Sequence, residues 1–354
     1  MSSAAATDAA DGVDVELSKA EIRAAYNPFE HGCWLDFANK LTQGYMAAEY
    51  DDWAPLGDHH SEWLQPLAGE ADVDGDLALL CHRDGLKTTI ITAFAVACME
   101  YLDGYRVIWA MNTQEQAYEK ADRELNKFIK RNPWLVNLNK PRKEDSKKTK
   151  EFANGSSLTT GWLKGAIEGA RAHLLILDDI IKEQGDGKTE DVLNWVDGVA
   201  QPMVKDDGRS VIVGTRKRSD DIYSHYRDYE GYSLREFPAI LDAWDREFRE
   251  DDDWQSRRPD PGLYTEVPSP WADGQTLQLL WPEARGPGWL ADKLGAQLIE
   301  FEERPVPIER HVTFADDQEK KRIENKLVSR EFDSKSSKGY RGQTIIFTNS
   351  RRRC

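Results

Sequence analysis

The sequence has little of several features that assign a chain to a common class. Its 354 residues include 4 cysteines, which lie far apart and form no C-x-x-C pair, so neither a disulfide framework nor a zinc site is indicated. No apolar run approaches the ~20 residues that a membrane span needs. The first twelve residues lack the basic start and apolar core of a signal peptide. We therefore expect a soluble protein of a reducing cell interior, with no membrane partner.

Positive charge is also scarce, because 63 Asp and Glu outnumber 47 Lys and Arg and give a formal net charge of −16. Such an excess suits a soluble surface and disfavours binding of nucleic acid over the whole surface. The segment from Trp289 to Cys354 differs, since its Lys and Arg outnumber its Asp and Glu. We expect any nucleic-acid contact to be local, and a change in organisation near residue 290.

Residues 77–97 have the pattern of a strand, a short polar loop and a helix. The loop ends in Lys87–Thr89, as a phosphate-binding loop does where amides and a Lys meet phosphates and a hydroxyl holds Mg²⁺. The glycines of G-x-x-x-x-G-K-[ST] are missing, because Cys81 and Leu86 occupy the two glycine positions. Taken alone, the loop fits equally well a buried strand followed by an ordinary helix with a Lys in its first turn.

A second apolar strand, Leu174–Asp179, ends in two adjacent carboxylates. A buried strand has no need of a carboxylate at its end, whereas Mg²⁺ on the phosphates of ATP needs one Asp, and a neighbouring acid can deprotonate the attacking water. The alternative is a pair of Asp residues that caps the next helix. Combined with Lys87 and Thr88, the pair predicts one site for ATP and Mg²⁺.

Apolar strands and helices alternate along the chain, which predicts an α/β fold with a mainly parallel central sheet flanked by helices. The expected strands are 77–80, 105–111, 174–179, 210–213 and 232–240, with helices at 87–101 and 114–131 and two short strands between 150 and 163. His60 and Trp63 are one helical turn apart, which fits a packed helix or a cover for an adenine ring. The polar pair Asn112-Thr113 is expected to cap the helix that follows.

The strand 210–213 runs into Gly214, Thr215 and Arg216. Residues at the carboxyl end of a parallel strand face the nucleotide crevice. Thr215 is therefore a candidate sensor of the γ-phosphate, and Arg216 a candidate for passing that signal outward. The alternative is a simple turn followed by a solvated basic run.

Four motifs, in this order and spacing, resemble the ATPase domain of the large terminase subunit of tailed viruses, in the form found in viruses of archaea: CHRDGLKTT, LLILDD, VIVGTRKRSDDIY and LLWPE. The resemblance covers residues 55–290 and makes the first two motifs Walker A and Walker B. It implies a P-loop NTPase of the RecA and terminase type that uses ATP and Mg²⁺.

The same resemblance implies roles for individual residues. The nucleotide-binding residues are Arg83, Asp84, Gly85, Leu86, Lys87, Thr88, Thr89 and Thr215. The catalytic residues are Arg83, Lys87 and Asp179, and the ligands of Mg²⁺ are Thr88 and Asp178. Hydrolysis is coupled to movement through Gly214, Thr215 and Arg216. Two positions depart from the family pattern, since Leu86 replaces a usual Gly and Asp179 a usual Glu.

From about residue 290 the chain resembles the opening of the second motor domain of archaeal superfamily-2 DNA helicases, through WLADKLGAQLIEFEERPVPIERHVTF and GQTIIFTNSRRRC. We predict a disordered leader (1–18), a terminase-like ATPase domain (19–290) and a C-terminal appendage (291–354). The appendage is expected to pack poorly unless Thr344–Thr348 adds to the main sheet. A nuclease domain, usual in the family, is missing, so no nuclease activity is expected. A natural recombinant, a joined or truncated chain, and a chance likeness remain as explanations.

The resemblance implies an ATP-hydrolysing motor that moves double-stranded DNA into a procapsid, in the cytoplasm of the infected host cell. The implied partners are a portal protein and a small terminase subunit, with a ring of copies of this chain on the portal. Two alternatives stay open. The C-terminal segment favours a helicase-type DNA translocase, and the changes at Leu86 and Asp179 favour a nucleotide-binding scaffold with little turnover.

Overall fold

The computed structural model describes residues 17–49, 54–70, 75–165, 167, 170–181, 189–215, 222–227, 231–249, 254–269 and 274–289. All of them fall within Met1–Leu298, the first of two units into which the chain divides. The appendage 291–354 and nearly all of the leader therefore lie outside the described residues. The three-part division of the chain stays a prediction.

The described strands are β1 Asp76–Cys81, β2 Arg106–Met111, β3 Glu144–Asp145, β4 Thr149–Glu151, β5 Ser157–Trp162, β6 Ala172–Asp178, β7 Val204–Gly214, β8 Tyr232–Phe237, β9 Thr265–Pro268 and β10 Thr276–Leu279. Eight of them form one sheet in the order β3-β4-β5-β2-β6-β7-β1-β8. Every pair from β5 to β8 is parallel, and only the pairs β3–β4 and β4–β5 are antiparallel. The predicted mainly parallel α/β fold is confirmed. β9 and β10 form a separate antiparallel pair.

The described α-helices are α1 Lys19–Ala25, α2 Pro28–His31, α3 Trp34–Glu49, α4 Asp58–Ala68, α5 Lys87–Tyr101, α6 Gln114–Ala117, α7 Leu125–Arg131, α8 Thr189–Trp195, α9 Ile222–Arg227, α10 Leu241–Phe248 and α11 Trp254–Arg257. Short 3₁₀ turns occupy Gln201–Met203 and Pro261–Leu263, and π-helical segments occupy Tyr118–Glu124 and Val196–Ala200. No helix in these ranges is long and apolar enough to cross a membrane.

Most predicted elements are found within a few residues of their expected bounds. The helix 87–101 is found at both ends as predicted, and β8 ends at Phe237 because Pro238 cannot donate to a ladder. The helix predicted over 114–131 is instead interrupted by the π-helical segment Tyr118–Glu124. Within the π-helical segment, Asp122 forms an ion pair of 2.5 Å with the buried Lys150. The hydrophobic pattern does not reveal this interruption, since apolar positions keep a helical spacing across it.

The sheet is buried on both faces, which explains why its central strands read as continuous apolar runs. Leu77 and Leu79 of β1 point into one cluster, and Ala78 and Leu80 point into the other. The first cluster is rich in aromatic side chains from α3, α4, α5 and α7, and α5 is buried over most of its length. The second cluster packs α8 and α9 against the opposite face. This sandwich fixes where the strand ends lie.

Candidate nucleotide-binding site

Three strand ends that carry predicted site residues lie at one edge of the sheet. β7 pairs with β6 on one side and with β1 on the other, all in parallel. Their carboxyl ends, Cys81, Gly214 and Asp178, therefore meet at the same edge. The loop 82–86 follows β1 there and leads into α5. The edge is where ligands bind in open α/β sheets.

The structure brings the basic and hydroxyl groups at the start of α5 against the acidic pair after β6. Lys87 Nζ lies 3.2 Å from Asp179 Oδ2. Thr88 Oγ1 donates a hydrogen bond of 3.0 Å to Asp178 Oδ2. The amides of Leu86, Lys87, Thr88 and Thr89 find no acceptor among the described residues. Four residues from two distant motifs thus converge on a helix start with free donors.

The two acids occupy different environments. Asp178 is fully buried, and burial, followed by the charge of Asp179, raises the pKa of Asp178 to about 7, against the lowering effect of Lys87 and Thr88. Asp179 is partly exposed, with its backbone in the left-handed region at φ 46° and its amide bonded to Val213 O at 2.9 Å. Its Oδ1 is buried and has no hydrogen-bond partner among the described residues.

Two loop residues also lie in the left-handed region, Asp84 at φ 62° and Leu86 at φ 60°. Side chains from outside the loop bind the backbone carbonyl groups of Asp84 and Gly85. Arg285 Nε donates to Asp84 O at 3.2 Å, and His60 Nε2 lies 3.2 Å from Gly85 O. Since His60 Nδ1 accepts from the Gly57 amide at 3.0 Å, the ring proton is on Nε2 and His60 donates to the loop.

Two further imidazoles lie close to His60, with His59 buried and His82 half-buried. Burial lowers the pKa of His59 to about 2, of His60 to about 3 and of His82 to about 4, so all three are neutral near pH 7. A Cβ on Gly85 would lie 2.7 Å from His82 Cε1, so this position accepts only glycine without movement of His82. His60 and Trp63 are fully buried, so the packed-helix interpretation holds and neither side chain is available to cover a base.

A cavity of about 360 Å³ opens beside the start of α5. Its lining includes Lys87, Thr88 and Thr89 together with three aromatic side chains: Tyr45, Phe128 and Trp281. Arg285 also lines it, with its guanidinium 5.3 Å from the ring centre of Trp281. A cavity lined by both polar and aromatic side chains has the character of a small-ligand site.

The remaining predicted residues lie nearby or outside the described part. Arg83 is on the loop with an exposed side chain, and Thr215 is half-buried directly after β7. A Cβ on Gly214 would overlap the Tyr223 hydroxyl and lie 3.0 Å from Asp179 Oδ1, so glycine is needed for this close approach. Arg216 lies outside the described residues, and its coupling role stays a prediction.

The donor set fits Mg²⁺. Thr88 Oγ1 and the carboxylate of Asp178 are hard oxygen ligands held within 3.0 Å of each other, and Asp179 Oδ1 is an acceptor without a donor. Among the residues that the structure describes, no group of three or more His, Cys, Asp or Glu is placed to hold a metal by itself. Mg²⁺ uses one or two carboxylates and keeps waters and substrate phosphates as its other ligands.

Arg285 and Asn112 were not predicted as site residues, and His60 was considered only as part of a cover for an adenine ring. Asn112 directly follows β2, and its Nδ2 donates to Ile180 O at 2.6 Å rather than capping a helix, whereas Thr113 does cap α6. The strand-end rule that selected Asp178 and Thr215 applies equally to Asn112, so the signal was present. His60 and Arg285 act on backbone carbonyls, for which no residue pattern exists.

No family model matches the chain. A probable ATP-dependent helicase of Methanocaldococcus jannaschii is 47% identical over 68 residues, which are 19% of this chain and 8% of the helicase. The chain thus spans less than a tenth of that relative's length.

Among solved structures, the chain is similar to the large terminase of bacteriophage HK97, with 17% identity, a TM-score of 0.44, and coverage of 58% of this chain and 43% of the other. It is also similar to the ATPase domain of the Thermus phage P74-26 large terminase, with 14% identity, a TM-score of 0.37, and coverage of 57% and 96%. The two kinds of relative that the motifs predicted both occur among these proteins.

Proposed function

We propose that the chain is an ATP hydrolase that drives viral DNA packaging, coupling turnover of ATP with Mg²⁺ to movement of double-stranded DNA into a procapsid. One observation carries the ATPase part: Lys87 and Thr88 at the start of α5 meet Asp179 and Asp178 at 3.2 Å and 3.0 Å. The DNA-packaging part rests on the resemblance of the four motifs to the large terminase subunit.

In this proposal the start of α5 binds the phosphates. The amides of residues 86–89 and the ammonium group of Lys87 neutralise phosphate oxygens, and the exposed Arg83 spreads charge that develops on the γ-phosphate. The base and ribose occupy the neighbouring cavity lined by Tyr45, Phe128 and Trp281. Thr88 and Asp178 would hold Mg²⁺, which would neutralise negative charge on the phosphates when bound.

Asp179 is the group that accepts the proton of the attacking water. Before nucleotide binds, its carboxylate is paired with Lys87 at 3.2 Å. An arriving triphosphate competes for Lys87, since phosphate oxygens carry more negative charge than one carboxylate. The exchange frees Asp179 to act as a base only when ATP is in place. Thr215, one residue beyond Gly214, would then report the γ-phosphate.

The test compares ATP hydrolysis by the wild type, Lys87→Ala and Asp179→Asn. We expect each variant to lose at least about a hundredfold in kcat/KM, in line with the loss of a charge-stabilising donor or a general base. Lys164→Ala is a matched control, because Lys164 and Asp191 form an ion pair of the same 3.2 Å length on the exposed surface. Equal rates in all four proteins would instead favour the nucleotide-binding scaffold.

The DNA-dependent part has its own test. Translocation along double-stranded DNA without strand separation supports a packaging motor, whereas unwinding of forked DNA supports the helicase alternative that the C-terminal segment favours. Contacts with DNA are expected to be to the backbone, so binding should weaken steeply with salt. A portal protein and a small terminase subunit, with a ring of copies of this chain, complete the assembly that we propose from the resemblance.

A further inference from the structure

Asn112 lies at the same sheet edge as the acidic pair, on the other side of β6 from β7. β2 and β6 run parallel with Met111 opposite Asp178, so Asn112 is next to Asp179. The side chain is 8% exposed. A buried amide needs partners for all its polar atoms, because an unpaired one costs about 1–3 kcal/mol.

The side-chain amide nitrogen of Asn112 has a hydrogen-bond partner in the segment that follows the neighbouring strand β6. Nδ2 donates to Ile180 O at 2.6 Å, immediately after Asp179. On the other side, the Asp179 amide donates to Val213 O at 2.9 Å. The left-handed backbone of Asp179, at φ 46°, is thus held between two neighbouring strands. A non-glycine residue stays in this conformation only when its surroundings determine it.

The carbonyl oxygen of Asn112 has no such partner. Asn112 Oδ1 and Asp179 Oδ1 are both buried and both without a hydrogen-bond partner among the described residues. Both oxygens are acceptors, so they cannot satisfy each other, and each needs a donor. A water molecule has two O–H groups and can serve two acceptors on adjacent strand ends.

We propose that Asn112 completes the hydrolytic site: its N–H group positions Asp179, and its carbonyl oxygen orients the attacking water. This rests on the proposed ATP hydrolysis. The water oxygen bonds to the γ-phosphorus as the bond from that phosphorus to the β,γ-bridging oxygen breaks, with the electron pair leaving on ADP. One water proton passes to Asp179, and the other stays on the new phosphate oxygen, directed at Asn112 Oδ1.

The test is a pair of matched substitutions, Asn112→Ala and Asn154→Ala. Asn154 also donates its Nδ2 to a backbone carbonyl, Met99 O at 2.8 Å, but in the loop between β4 and β5 that meets Gly104 at the opposite end of β2. In Asn112→Ala we expect kcat for ATP to fall about a hundredfold with KM changed less than about threefold, because phosphate and Mg²⁺ binding are untouched. Asn154→Ala should keep both constants.

Asn112→Asp tests the donor half of the role alone, because it keeps an acceptor for the water but lacks the donor to Ile180 O. We expect it to lose activity as well. An unchanged kcat in Asn112→Ala, or equal losses in both alanine variants, would overturn the proposal.

Amide hydrogen exchange without nucleotide gives a readout that is independent of turnover. Loss of the bond to Ile180 O should speed exchange of the Asp179 amide about tenfold or more in Asn112→Ala and leave it unchanged in Asn154→Ala. Unchanged exchange would overturn the positioning role whether or not the chain hydrolyses ATP. A wild-type chain without ATPase activity would overturn the proposed function, and with it the water-orienting role, but not the positioning role.

Discussion

The loop after β1 and the end of β6 face each other across the candidate site, but they differ in the contacts that hold them. Both contain residues at positive φ, Asp84 and Leu86 in the loop and Asp179 at the strand end. In the loop, the neutral side chain of His60 and the cationic side chain of Arg285 bind backbone carbonyl groups. The strand end keeps a buried acid of raised pKa and an unpaired carboxylate oxygen.

The difference has a physical meaning. Phosphates bind to a surface of amides that must already point the right way, so the loop is preorganised by contacts within the protein. A cation supplies positive charge when it binds. The buried carboxylates that hold it can therefore be energetically unfavourable in the free protein. We therefore expect the loop to contribute to the stability of the free protein, and the acidic pair to reduce it.

The largest expected effect comes from Asp178→Asn in protein without Mg²⁺. Burial raises the pKa of Asp178 from its ordinary 3.8 to about 7, so folding disfavours the charged form. Wild-type stability is therefore lost as pH rises from about 4 through 7, and the variant escapes this loss. Three pKa units correspond to at most about 4 kcal/mol above pH 7. Urea unfolding from pH 5 to 8 in a chelator measures the difference.

The same variant should lose the response to the metal. Millimolar Mg²⁺ with ADP should stabilise the wild type and leave Asp178→Asn unchanged. Asp76→Asn is the control, because Asp76 also has a raised pKa from burial but lies at the opposite end of the sheet, bonded to the Ser210 amide. If Asp76→Asn abolished the response and Asp178→Asn kept it, the site would be misplaced.

A smaller effect is expected from His60→Gln, which removes the titration but keeps an amide N–H for Gly85 O. At pH 8 the variant should be about 1 kcal/mol less stable, through loss of the bond from the Gly57 amide. The pKa of His60 falls from 6.5 to about 3 on folding, so protonation favours unfolding, and wild-type stability is lost as pH falls below 6.5. By pH 5 that loss amounts to about 2 kcal/mol.

The two stability curves should therefore cross between pH 6.5 and 5, with the Gln variant more stable on the acid side. Chemical unfolding at pH 8, 6.5 and 5 measures this. His31→Gln removes an imidazole from the exposed surface and serves as the control. Parallel curves for wild type and His60→Gln would mean that the loop brace does not depend on a neutral ring.

The parts of this site that could be predicted are those that depend on strand ends. Lys87, Thr88, Asp178 and Asp179 follow apolar strands, and parallel strands end at one edge, so their meeting follows from topology. His60 and Arg285 reach loop carbonyls 25 and 201 residues away in sequence. Any donor of suitable length can bind a carbonyl, so such contacts leave no pattern. The positive φ of Leu86 could not be predicted either, because leucine residues ordinarily adopt a negative φ.

The smallest expected effect concerns Leu86, where the family pattern has glycine. Leu86 precedes α5 at φ 60° and packs partly against the aromatic cluster. Leu86→Ala and Leu86→Gly both lose this packing, but only glycine is relieved of the left-handed conformation. We expect Leu86→Gly to be more stable than Leu86→Ala by about 1 kcal/mol, the reverse of the usual order in helices. Thermal and urea unfolding of the two variants measure the difference.

The control for Leu86 is Ala243→Gly in the exposed part of α10, which should lose about 0.5–1 kcal/mol because glycine there gains no conformational relief. The sign of the glycine effect therefore reports the backbone conformation rather than the residue. If Leu86→Ala proved as stable as Leu86→Gly, the backbone at residue 86 would be free to leave the left-handed region. His60 and Arg285 would then not hold the loop in this conformation. The proposed difference between a preorganised loop and the acidic end of β6 would be wrong for the loop.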